Sequence, residues 1–260
     1  MFYKEISIVS PDFQEQSYIL LQNCVDMLEN AASSFAECIS KPIYDSEPIP
    51  HYLFKDPDQK TYVVLRCVRI ASGFNASLKL LKYGYAQEVG VILRSILEFI
   101  HDMDFVFEGF INKDSEEKIQ SMIDTYFSEK YKNTRQLLEE TKKQSSIPRK
   151  KIYASIGRMY GRDNPHRYRQ IAKALEEGYS GYVHGGYHQT MEMWDQKRMC
   201  YEMKGQPYRI MQWLNYMSLI VHPALNIFSA VSHGFGLNQH MIELDKKRIE
   251  LESSPVYNWK

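Results

Sequence analysis

Apolar residues recur along this chain at three- and four-residue intervals, the spacing that lines one face of an α-helix. Leu20, Leu21, Cys24, Met27, Leu28 and Ala31 set the first helix, expected over about 13–39 with Asp12 as its cap. Pro42, Pro48, Pro50 and Pro57 then forbid helix and predict a surface loop over 41–57. The pattern resumes over 58–83 and closes at Gly84 in a left-handed cap. Its middle, with Ala71, Ser72, Gly73 and Ala76, is small enough for another helix to approach closely. A third helix is expected over 85–108, stopping near Gly109. A long charged helix follows from Asp114 to about residue 143, where Ser145, Ser146 and Pro148 break it.

Two shorter helices come next, over 149–160 and 165–177, the second announced by Asn164 as cap and Pro165 at the first helical position. Residues 178–205, with Gly178, Gly181, Gly185 and Gly186, fit either a broken helix or a loop with a short strand. An apolar helix over 208–231 and a charged tail helix over 237–252 complete the chain. The β-branched runs and turns of a sheet are missing, so the expected class is all-α. The reading is one helical domain over 1–260, a single bundle of about seven to nine helices. Within it, 1–57 form the N-terminal helix and connector, 58–235 the core bundle and 236–260 the tail.

Composition narrows the class. At 260 residues, 44% hydrophobic and 25% charged, the chain can build a large core and is not disordered. Cys24, Cys38, Cys67 and Cys200 form no Cys-x-x-Cys pair, which argues against a zinc ribbon or redox motif and for a reducing compartment. The N-terminal residues lack the basic start and apolar run of a secretory leader. The apolar stretches are expected to fall short of the ~20 residues a bilayer requires. The expectation is a soluble, cytoplasmic protein without membrane contact.

Net charge is zero but unevenly spread. Residues 142–173 carry ten Lys or Arg and one acid, Asp163, whereas 98–117 carry seven acids and one base, Lys113. The basic segment is either a phosphate-attracting surface or a solvated helix pair serving solubility.

The chemistry concentrates in Arg94-Ser95-Ile96-Leu97-Glu98-Phe99-Ile100-His101. At about 100° per residue, Arg94, Glu98, His101, Phe105 and Glu108 share one stripe. Val89, Ile92, Ile96, Phe99, Met103 and Phe107 centre on the other side. One reading turns that stripe to water, with Arg94 and Glu98 as an i,i+4 ion pair worth a few tenths of a kcal/mol. Phe105 in its middle argues instead that it borders a cleft. There Arg94 would neutralise a phosphate, His101 would move a proton as general acid or base, and Glu98 would orient one of them.

This Arg-x6-His spacing resembles the signature of HEPN-domain proteins, helical bundles that include many metal-independent ribonucleases of defence and toxin systems. The resemblance implies Arg94 and His101 as the catalytic pair, with Ser95 matching the polar residue that often follows the arginine. It also implies a site shared across a homodimer. A second segment, Tyr179-Ser180-Gly181-Tyr182-Val183-His184-Gly185-Gly186, follows later in the chain. Together with Arg94-x3-Glu98 it resembles a large group of uncharacterised bacterial all-helical proteins over about 62–225. That resemblance implies a bundle in which the two segments meet, and no established activity.

On the enzymatic reading, His184 joins the catalytic group and Tyr179 and Ser180 contact substrate. Lys150, Lys151, Arg158 and Arg162 guide RNA or a nucleotide. Otherwise His184 is a core histidine bonded across helices, and His188 a surface or packing residue. Glu98-x-x-His101 is also the half-motif of a di-iron bundle. His184, His188 and Glu192 would align only if their stretch were helical, and His101, Glu98 and His184 could hold a single metal. No nucleophile elbow, phosphate loop or dinucleotide fingerprint occurs, so no cofactor is expected. Three functions follow: a HEPN-like ribonuclease or nucleotide-acting enzyme, a non-enzymatic bundle binding a protein partner or small ligand, and a metal-binding bundle.

Overall fold

Ser10, rather than Asp12, caps the first helix. Its Oγ accepts the Phe13 amide at 3.2 Å, and Pro11 occupies the first helical position, where no amide hydrogen is required. A computed structural model of the protein describes residues 10–46, 51–111, 116–127, 147–203 and 209–258. These form α1 (Pro11–Glu37), α2 (Gln59–Lys82), α3 (Ala86–Ile111), α4 (Glu116–Phe127), α5 (Arg149–Tyr160), α6 (Pro165–Val183), α7 (Tyr187–Met191), α8 (Ile210–Gly234) and α9 (Asn238–Glu252). The only strands among the described residues make two small antiparallel ribbons, β1 (Ile43–Asp45) with β2 (His51–Leu53) and β3 (Trp194–Asp195) with β4 (Cys200–Tyr201). The protein is all-α.

Local chemistry sets most boundaries. Asp58 caps α2 by accepting the Thr61 amide at 2.8 Å, and Gly84 closes it at φ 80°. Asn164 accepts the Arg167 amide at 3.0 Å ahead of Pro165 at the start of α6. Four expectations need correction. α3 continues past Gly109 to Ile111, since that glycine does not take the left-handed conformation. α6 runs through Gly178 and Gly181 to Val183 and stops only at Gly185, φ 60°, where the Gly186 amide closes back on the Gly181 carbonyl at 2.7 Å. The proline-rich connector is not all loop, because β1 and β2 pair within it. Finally, α8 is 25 residues long and apolar enough to cross a bilayer, although 67% of its apolar window is buried, as in a core helix. In the open stretch after residue 184 the structure places α7 and the β3–β4 ribbon. The helix expected up to residue 143 is described only as α4; its remainder, with Lys142 and Lys143, lies outside the described residues.

The chain divides into two compact units. The first takes Met1–Ala32, Cys67–Ile100 and Ala174–Lys260. α8 is its central helix, burying Trp213, Leu214, Met217, Val221 and Phe228, and it packs on α9. Asn215, buried on α8, donates to the Val256 carbonyl at 2.6 Å and so ties down the chain beyond α9. Gly73 lets α2 approach α3: a Cβ there would lie 2.9 Å from the Ile96 side chain. Gly90 does the same for α3 and α6, since a Cβ would lie 2.6 Å from Cγ of Tyr182. The second unit takes Ser33–Arg66 and His101–Lys173. In it Gly157 and Gly161 of the basic segment are packing glycines. A Cβ at Gly157 would meet the Pro165 carbonyl oxygen, and one at Gly161 would sit 2.7 Å from the Pro165 Cα.

Overpacking a tight helix crossing costs about 1–3 kcal/mol. Gly90→Ala should therefore lower the melting temperature by several degrees in a thermal scan followed by circular dichroism. Gly178→Ala, where a Cβ would meet nothing within 4 Å, should leave it unchanged or raise it slightly.

Candidate functional site

Most of the polar stripe of α3 is turned away from water. His101 is 5% exposed, Phe105 and Glu108 2% each, and Arg94 and Glu98 are only partly exposed. Within the first unit, Arg94 Nη1 lies 2.6 Å from Glu98 one turn on, and Nη2 donates to Glu176 on α6 at 3.1 Å. Glu176 is almost fully buried, so this is a charge pair removed from solvent. Arg94 Nε and Nη1 are themselves buried with no aligned hydrogen-bond acceptor, despite the nearness of Glu98 to Nη1.

The α6 residue that meets Arg94 is thus Glu176. His184 follows eight residues later, roughly 12 Å along the helix, and it is exposed in the turn that ends α6. It is not a core histidine. His188 is exposed on α7. Tyr179 and Ser180 are partly buried, and burial pushes the Tyr179 hydroxyl up from its usual range.

The second segment's chemistry gathers on Glu192, which the sequence offered only as a metal ligand. Glu192 accepts the Tyr182 hydroxyl at 3.1 Å, sits 3.1 Å from Arg209 at the start of α8, and receives Gln87 of α3 at 3.4 Å. The Tyr182 ring stacks edge-on against Trp213 at 5.2 Å and covers Gly90. Burial and the Glu192 carboxylate both push its hydroxyl up. The cluster pins α3, α6, α7 and the start of α8 together.

No protein-family model matches this chain, and neither curated proteins nor solved structures give a significant match.

In the second unit, α3 carries three carboxylates that α5 answers. Asp102 lies 2.7 Å from Arg149 and 3.3 Å from Arg66, whose guanidinium also sits over the rings of Tyr62 and Tyr126 at 5.1 and 4.8 Å. Asp104, 3% exposed, accepts the Tyr160 hydroxyl at 2.6 Å. Glu108 is held by the Ser155 hydroxyl and by Arg158, whose Nη2 lies at 2.8 Å. That pairing raises the Arg158 pKa further. His101 meets Tyr153 edge-on at 6.3 Å.

Of the residues expected to guide RNA, Arg158 is therefore committed to Glu108. Lys150, Lys151 and Arg162 are exposed, as are His166, Arg167 and Arg169 beside them. Among the described residues no three His, Cys, Asp or Glu side chains gather as metal ligands. Glu192, the last member of the His184, His188 and Glu192 series, is occupied by Tyr182 and Arg209.

The sequence reading missed Glu176, Asp102, Asp104 and Arg209, and it offered Glu192 only as a metal ligand. Asp104 carried one signal: an acid set between Met103 and Phe105 on a helix apolar over most of its circumference.

Burial raises the Asp104 pKa from 3.8 to about 7. The folded state then holds this proton more tightly than the unfolded state, so the contribution of Asp104 to stability is greatest at low pH. It declines as pH rises above about 4 and levels off above about 7, a loss of up to a few kcal/mol. Urea unfolding of wild type and Asp104→Asn across that interval should show the decline in wild type and a flatter profile in the variant.

Proposed function

We propose that this chain is a helical protein that binds RNA or a nucleotide phosphate through the exposed basic residues of its second unit. One observation carries the reading. Lys150, Lys151, Arg162, Arg167 and Arg169 are all exposed, and Asp163 is the one acid among residues 149–173. Two arginines of the same basic segment, Arg149 and Arg158, hold the fold by pairing with Asp102 and Glu108. The five exposed cations are left to solvent, and a concentrated positive surface attracts phosphate by releasing counterions. On this reading the Arg94, Glu98 and His101 stripe is structural, and binding needs no turnover.

The test is RNA affinity measured across a salt series. Wild type should bind, with affinity falling steeply as salt rises. Lys150→Glu combined with Lys151→Glu and Arg162→Glu should weaken binding and flatten the slope by roughly 0.7–0.9 for each phosphate no longer neutralised. Affinity indifferent to salt and to these changes would remove the basic face from the argument.

A second reading, a metal-independent ribonuclease of a defence or toxin system, is favoured by the two buried Arg94 nitrogens that lack an aligned acceptor. There Arg94 would hold phosphate and His101 would transfer the proton. Purified protein in EDTA should then cleave mixed cellular RNA, and His101→Ala should not. On the structural reading neither protein cleaves. Arg94→Ala instead lowers the melting temperature, because Glu176 loses its buried counter-charge, a change of about 3–5 kcal/mol for a fully buried pair and less here.

A further inference from the structure

We propose that residues 184–203 form a strap that Glu192 latches onto the first unit, and that the strap swings outward as one body about Gly185 when this carboxylate lets go. The strap holds α7 and the β3–β4 ribbon, and none of its residues is buried. With no side chain sunk in the core, its attachment leans on polar contacts, and a segment with few buried contacts lies at the low end of local stability. Glu192 gathers those contacts. Its Oε2 lies 3.1 Å from Arg209 Nη1 and receives the Gln87 amide at 3.4 Å, and both of its oxygens accept the Tyr182 hydroxyl at 3.1 Å. The three partners come from α3, α6 and the start of α8, all within the first unit. Gln189 packs on Gly181 as a lighter, uncharged contact.

Inside the strap the bonding is dense enough for it to move whole. The Glu202 amide donates to the Met193 carbonyl at 2.8 Å, and Arg198 pairs with Glu202 at 2.7 Å. The rings of Trp194 and Tyr201 meet edge-on at 5.1 Å, and the Tyr201 hydroxyl donates to Met191 Sδ at 3.5 Å, which ties the ribbon to α7. At the junction with α6, Gly185 has φ 60°, and a Cβ there would meet nothing within 4 Å. A backbone rotation at that glycine displaces no neighbour. Outward movement uncovers the Tyr182 hydroxyl and the Arg209 guanidinium, so Glu192 decides whether those two groups are reachable from solvent.

The experiment is a distance measurement between two spin labels on the full chain. Cys38→Ser leaves Cys200 on the strap as the exposed cysteine, since Cys24 and Cys67 are buried. Tyr83→Cys, at a position 70% exposed in the same unit, carries the second label. With Glu192 intact the labels should show one dominant distance. Glu192→Ala should raise the population at longer distances about tenfold or more, because charge-assisted bonds are lost together. Glu192→Gln, which keeps an acceptor for Tyr182 but loses the charge opposite Arg209, should fall between the two. Hydrogen exchange at the amides of Thr190, Met193 and Glu202 should stay at the wild-type rate, because their acceptors Gly186, Thr190 and Met193 travel with the strap. Circular dichroism checks that each variant is folded, and Glu192→Gln carries the test if Glu192→Ala is not. Folded variants that keep the wild-type distance would overturn the latch. Faster exchange at the three amides would show local unfolding in place of a swing and would overturn the strap as one body.

Discussion

A helix that is apolar around most of its circumference and still carries carboxylates must be met by donors from its neighbours. α3 is that helix, and Asp104 and Glu108 are nearly inaccessible on it. Leaving an ionised carboxylate unpaired in such surroundings costs several kcal/mol. The second unit meets the demand mainly from α5, whose Arg149, Ser155, Arg158 and Tyr160 reach Asp102, Glu108, Glu108 and Asp104 in turn. Directional bonds of this kind fix the register between two helices more narrowly than apolar packing would. In the first unit the roles invert: the buried acid, Glu176, stands on α6, and α3 supplies Arg94.

The same arrangement explains the uneven charge along the chain. An acid-rich stretch of α3 and a basic stretch on α5 look like two solvated surfaces when read singly. They are partly two halves of one set of ion pairs, and the cations left over at Lys150, Lys151 and along the start of α6 face solvent. Net charge near zero therefore hides a neutralised interior and a basic exterior within one unit.

Helix positions were legible because apolar spacing and caps are local. α5 falls where the spacing puts it, Asn164 and Pro165 mark the start of α6, and Gly84 ends α2 as its flanking pattern requires. What depended on distant partners was not legible. Gly181 reads as a breaker until Gln189 is seen packed against it, and Gly90 acquires its meaning only from Tyr182. Tyr44 and Tyr52 sit among prolines, and their pairing joins two segments distant enough to escape any helical pattern. Which side of α3 faces inward could not be read, since nearly every side is apolar. The stripe's burial, and Glu176 as the partner of Arg94, were hidden by that ambiguity.

The two units also differ in how they are cut from the chain. The second is complete once Lys173 has been made, whereas the first combines an N-terminal helix, a central pair and everything after Ala174. During synthesis, then, the second unit can close while the first still awaits α8, its most apolar helix. At ~5–20 residues per second the N-terminal helix and the first half of α3 wait on the order of ten seconds for α8 to be made. Leu21, Leu28, Leu93 and Ile96, all buried in the folded protein, belong to these waiting segments. Completion of the first unit is thereby tied to synthesis of the segment after Ala174.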